Sequence, residues 1–152
     1  MKKFIILAII LAVASSPLSF AAQPFLKDKA SEEELLTFLE NTYEVVGRYP
    51  EGGPMYSGTV ILTRKENELV MTREIRGKKS IGTARLVAAT ADELTVLEAA
   101  FAEGNQKYQA TYIIGSDLDN YARLSGWTYF KNRETKKPGM EALFILLLPP
   151  EK

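Results

Sequence analysis

The sequence predicts an all-β protein: an eight-stranded antiparallel up-and-down meander barrel with one short N-terminal helix. Three observations predict it. From residue 42 onward, eight runs rich in Val, Ile, Thr, Tyr and Phe alternate with turn residues at regular spacing. The connections between these runs are no longer than eight residues, which forces successive strands to be antiparallel neighbours. A single helical pattern precedes them, so nothing supplies the crossovers of a parallel sheet. A meander of this size closes into a barrel to remove both edges; a two-layer sandwich is the alternative.

The chain opens with a targeting pattern. "MKK" is a basic n-region, "FIILAIILAVA" an apolar h-region and "SSPLSFAA" a small-residue c-region. Ser19 and Ala21 suit the −3 and −1 positions, so residues 1–21 read as a signal peptide cleaved after Ala21, with Ala22 as the second choice. The apolar run is short for a bilayer span, which favours a signal peptide over an anchor. The expected mature chain has no transmembrane segment and is periplasmic or secreted. Of 19 basic and 19 acidic residues, cleavage removes Lys2 and Lys3 and no acid, leaving 17 against 19.

Residues 22–41 hold a lead-in and the helix. Ser31 is placed as an N-cap, with Glu34 three residues on as in a capping box. Glu32 and Glu33 favour the positive end of the helix dipole. Leu35, Leu36, Phe38 and Leu39 form an apolar stripe. The helix, expected over residues 32–41, has to pack on something: as a lid or plug on the sheet, or against a partner.

The barrel domain is expected over residues 42–148. The strands are 42–48, 55–64, 69–75, 80–89, 94–101, 107–115, 121–131 and 140–148. "YPEGGP", "KENE", "RGKK", "TADE", "AEGNQ", "SDLDN" and "NRETKKPG" join them, and "PPEK" is a C-terminal tail at residues 149–152. An outer-membrane barrel requires a continuous apolar outer band. Arg73 and Glu74 on opposite faces of the third strand, and Arg64, Lys65 and Glu66 at the end of the second, argue against one.

The turn glycines carry a resemblance. "YEVVGRYPEGGPMYSGTVIL", "LVMTREIRGKKSIGTARL", "LSGW" and "PGMEAL" resemble the rhythm of calycin-type small barrels, the lipocalins, fatty-acid-binding proteins and avidins. They are also similar to small exported bacterial domains of unassigned function. The likeness covers residues 42–148 and implies a ligand-holding barrel. The lipocalin hallmark Gly-x-Trp is absent from the first strand, which has Tyr43 and Gly47. The lone Trp127 follows Gly126 directly, so no hallmark residue transfers.

Composition narrows the chemistry. There is no histidine and no cysteine. Disulfides, thiol lipidation, Cys–His and Ser–His–Asp catalysis are therefore excluded, and the commonest metal ligand is missing. The carboxylates do not recur at a spacing for paired acid–base work, and no phosphate-cradling glycine loop leads a helix. The expected function is non-catalytic, with no cofactor and no metal. Charge is balanced and unclustered, so no nucleic-acid footprint is present.

One charge stands out. In "LVMTREI", Leu69, Met71, Arg73 and Ile75 share the more apolar face of a strand. Three readings are open. The strand is turned over, or Arg73 snorkels at a rim. Arg73 is internal and paired with Glu98 or Glu141, each of which interrupts an apolar strand. Or Arg73 faces a cavity and holds a ligand carboxylate or phosphate.

Aromatic residues come next. Tyr108 and Tyr112 share a face of the sixth strand, and Trp127 and Tyr129 a face of the seventh. Gathered together they are either core or the wall of a pocket. Gly58, Gly82, Ala84, Ala110 and Gly126 within strands either relieve curvature or leave interior space. "GSDLDN" reads as a polar turn, with calcium as the remote alternative. "TRKENE" and "FKNRETKKPG" form a recognition surface if they lie at one barrel end.

The expected ligand-binding set is Arg73, Tyr108, Tyr112, Trp127 and Glu141, for a small hydrophobic or amphipathic ligand. The alternative is a packed scaffold whose loops bind a protein partner, as an inhibitor or envelope-assembly factor.

Overall fold

A computed structural model describes residues 29–89, 94–115 and 122–146. The expected signal peptide, the expected turns "TADE" and "SDLDN", the calcium alternative and the expected C-terminal tail lie outside them.

The helix α1 (Lys29–Leu39) precedes eight strands: β1 (Asn41–Arg48), β2 (Met55–Lys65), β3 (Glu68–Ile75), β4 (Lys78–Ala88), β5 (Thr95–Glu103), β6 (Gln106–Ile114), β7 (Ala122–Phe130) and β8 (Gly139–Ile145). They form a closed antiparallel barrel in sequence order. Closure is by β8 on β1, from Tyr43 opposite Ile145 to Arg48 opposite Met140.

The hairpins are tighter than the sequence suggests. The pattern places "RGKK" wholly in a turn, yet Lys78 and Lys79 pair with Ile75 and Glu74. Arg76 and Gly77 both hold positive φ, 52° and 72°, and two left-handed residues close the shortest hairpin that matches strand twist. In the same way β5 continues past Phe101 to Glu103.

Inward and outward residues alternate along the strands. On β3 the buried face is Leu69, Met71, Arg73 and Ile75, so the strand is not turned over. The outer face carries Glu44, Arg48, Glu74, Lys79, Arg85 and Lys107. Among the described residues, no helix is long and apolar enough to cross a membrane.

The interior glycines serve close strand approach more than open space. A Cβ on Gly126 would sit 1.9 Å from the Thr111 carbonyl oxygen of β6.

The two ends of the barrel differ. At one, α1 is a plug. An isolated helix of 11 residues is marginal in water, so its stability comes from Leu36 and Leu39, both buried among Leu62, Leu69, Leu97, Leu124 and Leu143. Each such leucine contributes roughly 1.5–3 kcal/mol of burial. The helix begins at Lys29, ahead of Ser31, so Ser31 lies in the first turn and not at the cap.

Polar contacts fix the plug's angle. The Tyr43 hydroxyl donates to the Leu39 carbonyl at 2.7 Å, and the Arg64 amide donates to Glu40 at 3.1 Å. Arg123 lies 3.6 Å over the Phe38 ring and donates to the Phe38 carbonyl at 3.3 Å. A register shift between Ala122 and Leu124 marks a bulge, which re-aims the extra residue, Arg123, toward the helix.

At the other end no helix is present among the described residues. The β1–β2, β3–β4, β5–β6 and β7–β8 connections surround an open mouth. Glu51 ties two of them, accepting from the Lys136 and Lys137 amides at 2.6 and 3.2 Å. These amides hold the Glu51 carboxyl below its ordinary range. "TRKENE" belongs to the plugged end and "FKNRETKKPG" to the mouth, so they form no common surface.

Candidate functional site: a charged hub beneath an open mouth

The interior between plug and mouth is organised by Arg73. Its guanidinium is fully buried, and Glu141 is 3% exposed. Nη2 lies 2.5 Å from Glu141 Oε1 and Nη1 lies 3.3 Å from Oε2. This is a bidentate pair, the arrangement that best offsets the desolvation of two charges. Tyr56 and Tyr112 donate their hydroxyls to the same carboxylate, one to each oxygen. Four elements meet here: β2, β3, β6 and β8. Gly47 on β1 leaves the room, since a Cβ there would sit 2.6 Å from the Tyr56 ring and 2.9 Å from Glu141 Cγ.

The electrostatics follow. Burial pulls the Arg73 guanidinium down, but the Glu141 charge, with Tyr112 and Tyr56, holds it above its ordinary value. Burial pushes Tyr56 and Tyr112 well up, and the Glu141 charge adds to this. All three groups are thereby locked in their neutral-pH states, so none is poised for proton transfer.

Above the hub, toward the mouth, is an aromatic layer. Arg73 lies 3.9 Å from the centroid of Phe101. Phe101 stacks on Tyr108 at 5.4 Å, Tyr108 meets Phe130 at 5.6 Å and Tyr49 at 6.0 Å, and Tyr49 meets Tyr56 at 4.3 Å. Glu103 sits among these rings. Its Oε2 accepts from the Tyr49 hydroxyl at 2.6 Å. Its Oε1 faces Arg73 Nε at 3.4 Å, an ion pair without hydrogen-bond geometry. Burial and then Glu103 raise the Tyr49 and Tyr108 hydroxyls.

The mouth itself is a depression of about 350 Å3 lined by Tyr49, Ile75, Arg76, Lys78, Lys79, Ser80, Glu103, Gly104 and Tyr108. That volume lies at the low end of small-molecule sites. Two buried polar atoms among its lining residues, Ser80 Oγ and Glu103 Oε1, have no hydrogen-bond partner. A buried polar group left unpaired carries a cost of about 1–3 kcal/mol.

The structure therefore brings together Arg73, Glu141 and Tyr112 in the hub and places Tyr108 between hub and mouth. Arg73 faces its protein partners and not an open cavity, and Glu141, not Glu98, is its partner. Glu98 points outward and pairs with Arg85 at 3.6 Å.

Trp127 does not join the tyrosines. It is 43% exposed on the outside of β7, because Gly126 and Thr128 take the inward positions there. It lines an outer groove of about 330 Å3 with Val46, Met55, Ile113 and Met140.

Tyr49, Tyr56, Phe101 and Glu103 escape the sequence reading. Tyr56 shares strand phase with Val60 and Leu62, a signal that could have placed it inside. Glu103 shares phase with Ala99 and Phe101 but falls in the expected turn.

No metal-holding cluster of His, Cys, Asp and Glu occurs among the described residues. Neither protein-family models nor curated proteins yield a match to this chain.

Proposed function

We propose that this protein is an exported, non-catalytic barrel that binds a small amphipathic molecule in its open mouth. The apolar body of the ligand rests against Tyr49, Tyr108 and Ile75, and its polar head reaches Ser80 and Glu103. The observation that carries this reading is the asymmetry of the barrel: α1 seals one end, while the other keeps a depression of about 350 Å3 whose lining residues include two buried polar atoms without a hydrogen bond. The likeness to calycin-type barrels, which hold ligands, supports it, and the N-terminal signal pattern supports export. Arg73 and Glu141 serve as the rigid floor that positions Phe101 and Glu103; they do not anchor the ligand.

A second reading rests on a different observation. The lumen below the mouth is filled by the core side chains and the hub, as a packed scaffold requires. In that case the loops contact a protein partner, as an inhibitor or assembly factor.

Native mass spectrometry of protein purified from its own host, without denaturation, separates the two. A stoichiometric small molecule supports the mouth as a ligand site. A clean apo mass, together with no response to a panel of lipophilic amphiphiles, overturns it. Trp127 fluorescence is unsuitable as the reporter, because its ring lies outside the wall.

A further inference from the structure

The chemistry of the mouth specifies the head group of its ligand; this inference rests on the ligand reading above. Two carboxylates, Glu141 and Glu103, share one buried guanidinium, Arg73. Glu141 takes both Nη atoms, which leaves only Nε for Glu103, at 3.4 Å and without hydrogen-bond geometry. The floor of the mouth thus carries one more negative group than positive. A carboxylate accepts and does not donate, so what Glu103 Oε1 lacks beside its ion pair is a hydrogen-bond donor.

The surroundings are matched to a positive donor. Tyr49 and Tyr108 line the depression together with Glu103, and the faces of such rings attract cations. Ser80 Oγ, also unpartnered, is a second acceptor. Of the basic residues at this end, Arg133 lies 3.7 Å over the Phe130 ring and its charge reaches Tyr108, while the others are engaged or exposed. Lys79 lies 3.5 Å from Glu74, with both side chains well exposed, and Arg76 donates to the Met55 carbonyl at 2.5 Å. Lys78 is exposed, where water and salt screen it. The Glu103 side chain, by contrast, is only 19% exposed, so its charge acts through a lower dielectric.

We infer that the mouth recognises an organic ammonium: a protonated amine on an apolar body, seated on Glu103 and Ser80 against the rings of Tyr49 and Tyr108.

The test is a titration of the purified protein with n-hexylammonium, n-hexanol and n-hexanoate, followed by amide and aromatic NMR shifts. The inference expects shifts confined to Ser80, Glu103, Gly104, Tyr49 and Tyr108. It expects hexylammonium to bind at least about tenfold more tightly than hexanol, the scale of one charge-assisted hydrogen bond. Glu103→Gln, with folding checked by circular dichroism, should remove that preference. Ser80→Ala is the second variant should Glu103→Gln fail to fold, and it should narrow the preference. Equal binding of amine and alcohol, or tighter binding of hexanoate, overturns the ammonium assignment while mouth shifts leave the ligand reading standing. No mouth shift with any of the three overturns both.

Discussion

Arg73 on β3 and Glu141 on β8 are not on neighbouring strands, yet they form a bidentate ion pair across the barrel lumen, with Nη2 to Oε1 at 2.5 Å. Glu141 also accepts from Tyr56 and Tyr112. With the two tyrosines the pair therefore ties four strands, of which only β2 and β3 are hydrogen-bonded neighbours, and it forms the floor on which the mouth residues rest.

Breaking this pair from one side should be severe. Glu141→Gln leaves a buried guanidinium without its countercharge and should cost about 3–5 kcal/mol. Arg73→Met leaves the carboxylate instead and should cost a similar amount. In the double variant the amide that replaces the Glu141 carboxylate accepts from one tyrosine through its oxygen and donates to the other hydroxyl through its NH2. That protein should be more stable than the sum of the single losses predicts by about 1–3 kcal/mol. Urea unfolding of the four proteins measures that coupling.

The tyrosines predict an alkaline limit. Burial pushes the Tyr43 hydroxyl up to about 12, and Tyr56 and Tyr112 are also raised. An unfolded tyrosine releases its proton near pH 10. Stability from these groups is therefore complete below about pH 10 and falls as pH rises toward and past 12, because only the unfolded chain ionises in that window. Tyrosinate absorption and circular dichroism, recorded together, should show the buried tyrosines ionising in step with loss of structure.

The plug should loosen without the barrel opening when only its clamp is removed. Arg123→Ala removes the cation over Phe38 and should cost about 0.5–1 kcal/mol, with faster hydrogen exchange confined to α1. Leu39→Ala opens a cavity inside the core and should cost about 2–5 kcal/mol, lowering global stability as well.

Gly126 is a steric prediction. Its missing Cβ would meet the Thr111 carbonyl at 1.9 Å, a backbone atom that cannot rotate away. Gly126→Ala should cost about 1–3 kcal/mol or more and shift the β6–β7 amides in NMR spectra.

Much of the fold is legible because a strand's two-residue period is written directly in the chain. The phase of Leu69, Met71, Arg73 and Ile75 makes an internal arginine one of the readings the strand allows. A charge interrupting "MEALFILLL" makes Glu141 a candidate partner, as the same signal does Glu98. What the period cannot supply is the state of neighbouring strands. Trp127 and Tyr112 look equally aromatic, but the inward place opposite Tyr112 is held by Gly126, which sends Trp127 outward. Glu103 is lost to a two-residue error at the end of β5, where left-handed Gly104 (φ 60°) tightens the hairpin. The mouth depends on side chains from β3, β4, β5 and β6 and from the loop after β1, an encounter set by closure and absent from any local pattern.

The ligand site is tested most directly by where a bound molecule is felt. Protein isolated from its host, or loaded with an amphiphile, should give intermolecular NOEs between ligand protons and the rings of Tyr49 and Tyr108. Tyr43 at the plug and Trp127 outside the wall should show none. NOEs to Trp127, Met140 and Val46 alone, or a ligand-free protein that ignores every amphiphile offered, would contradict the mouth as the site and favour the packed scaffold.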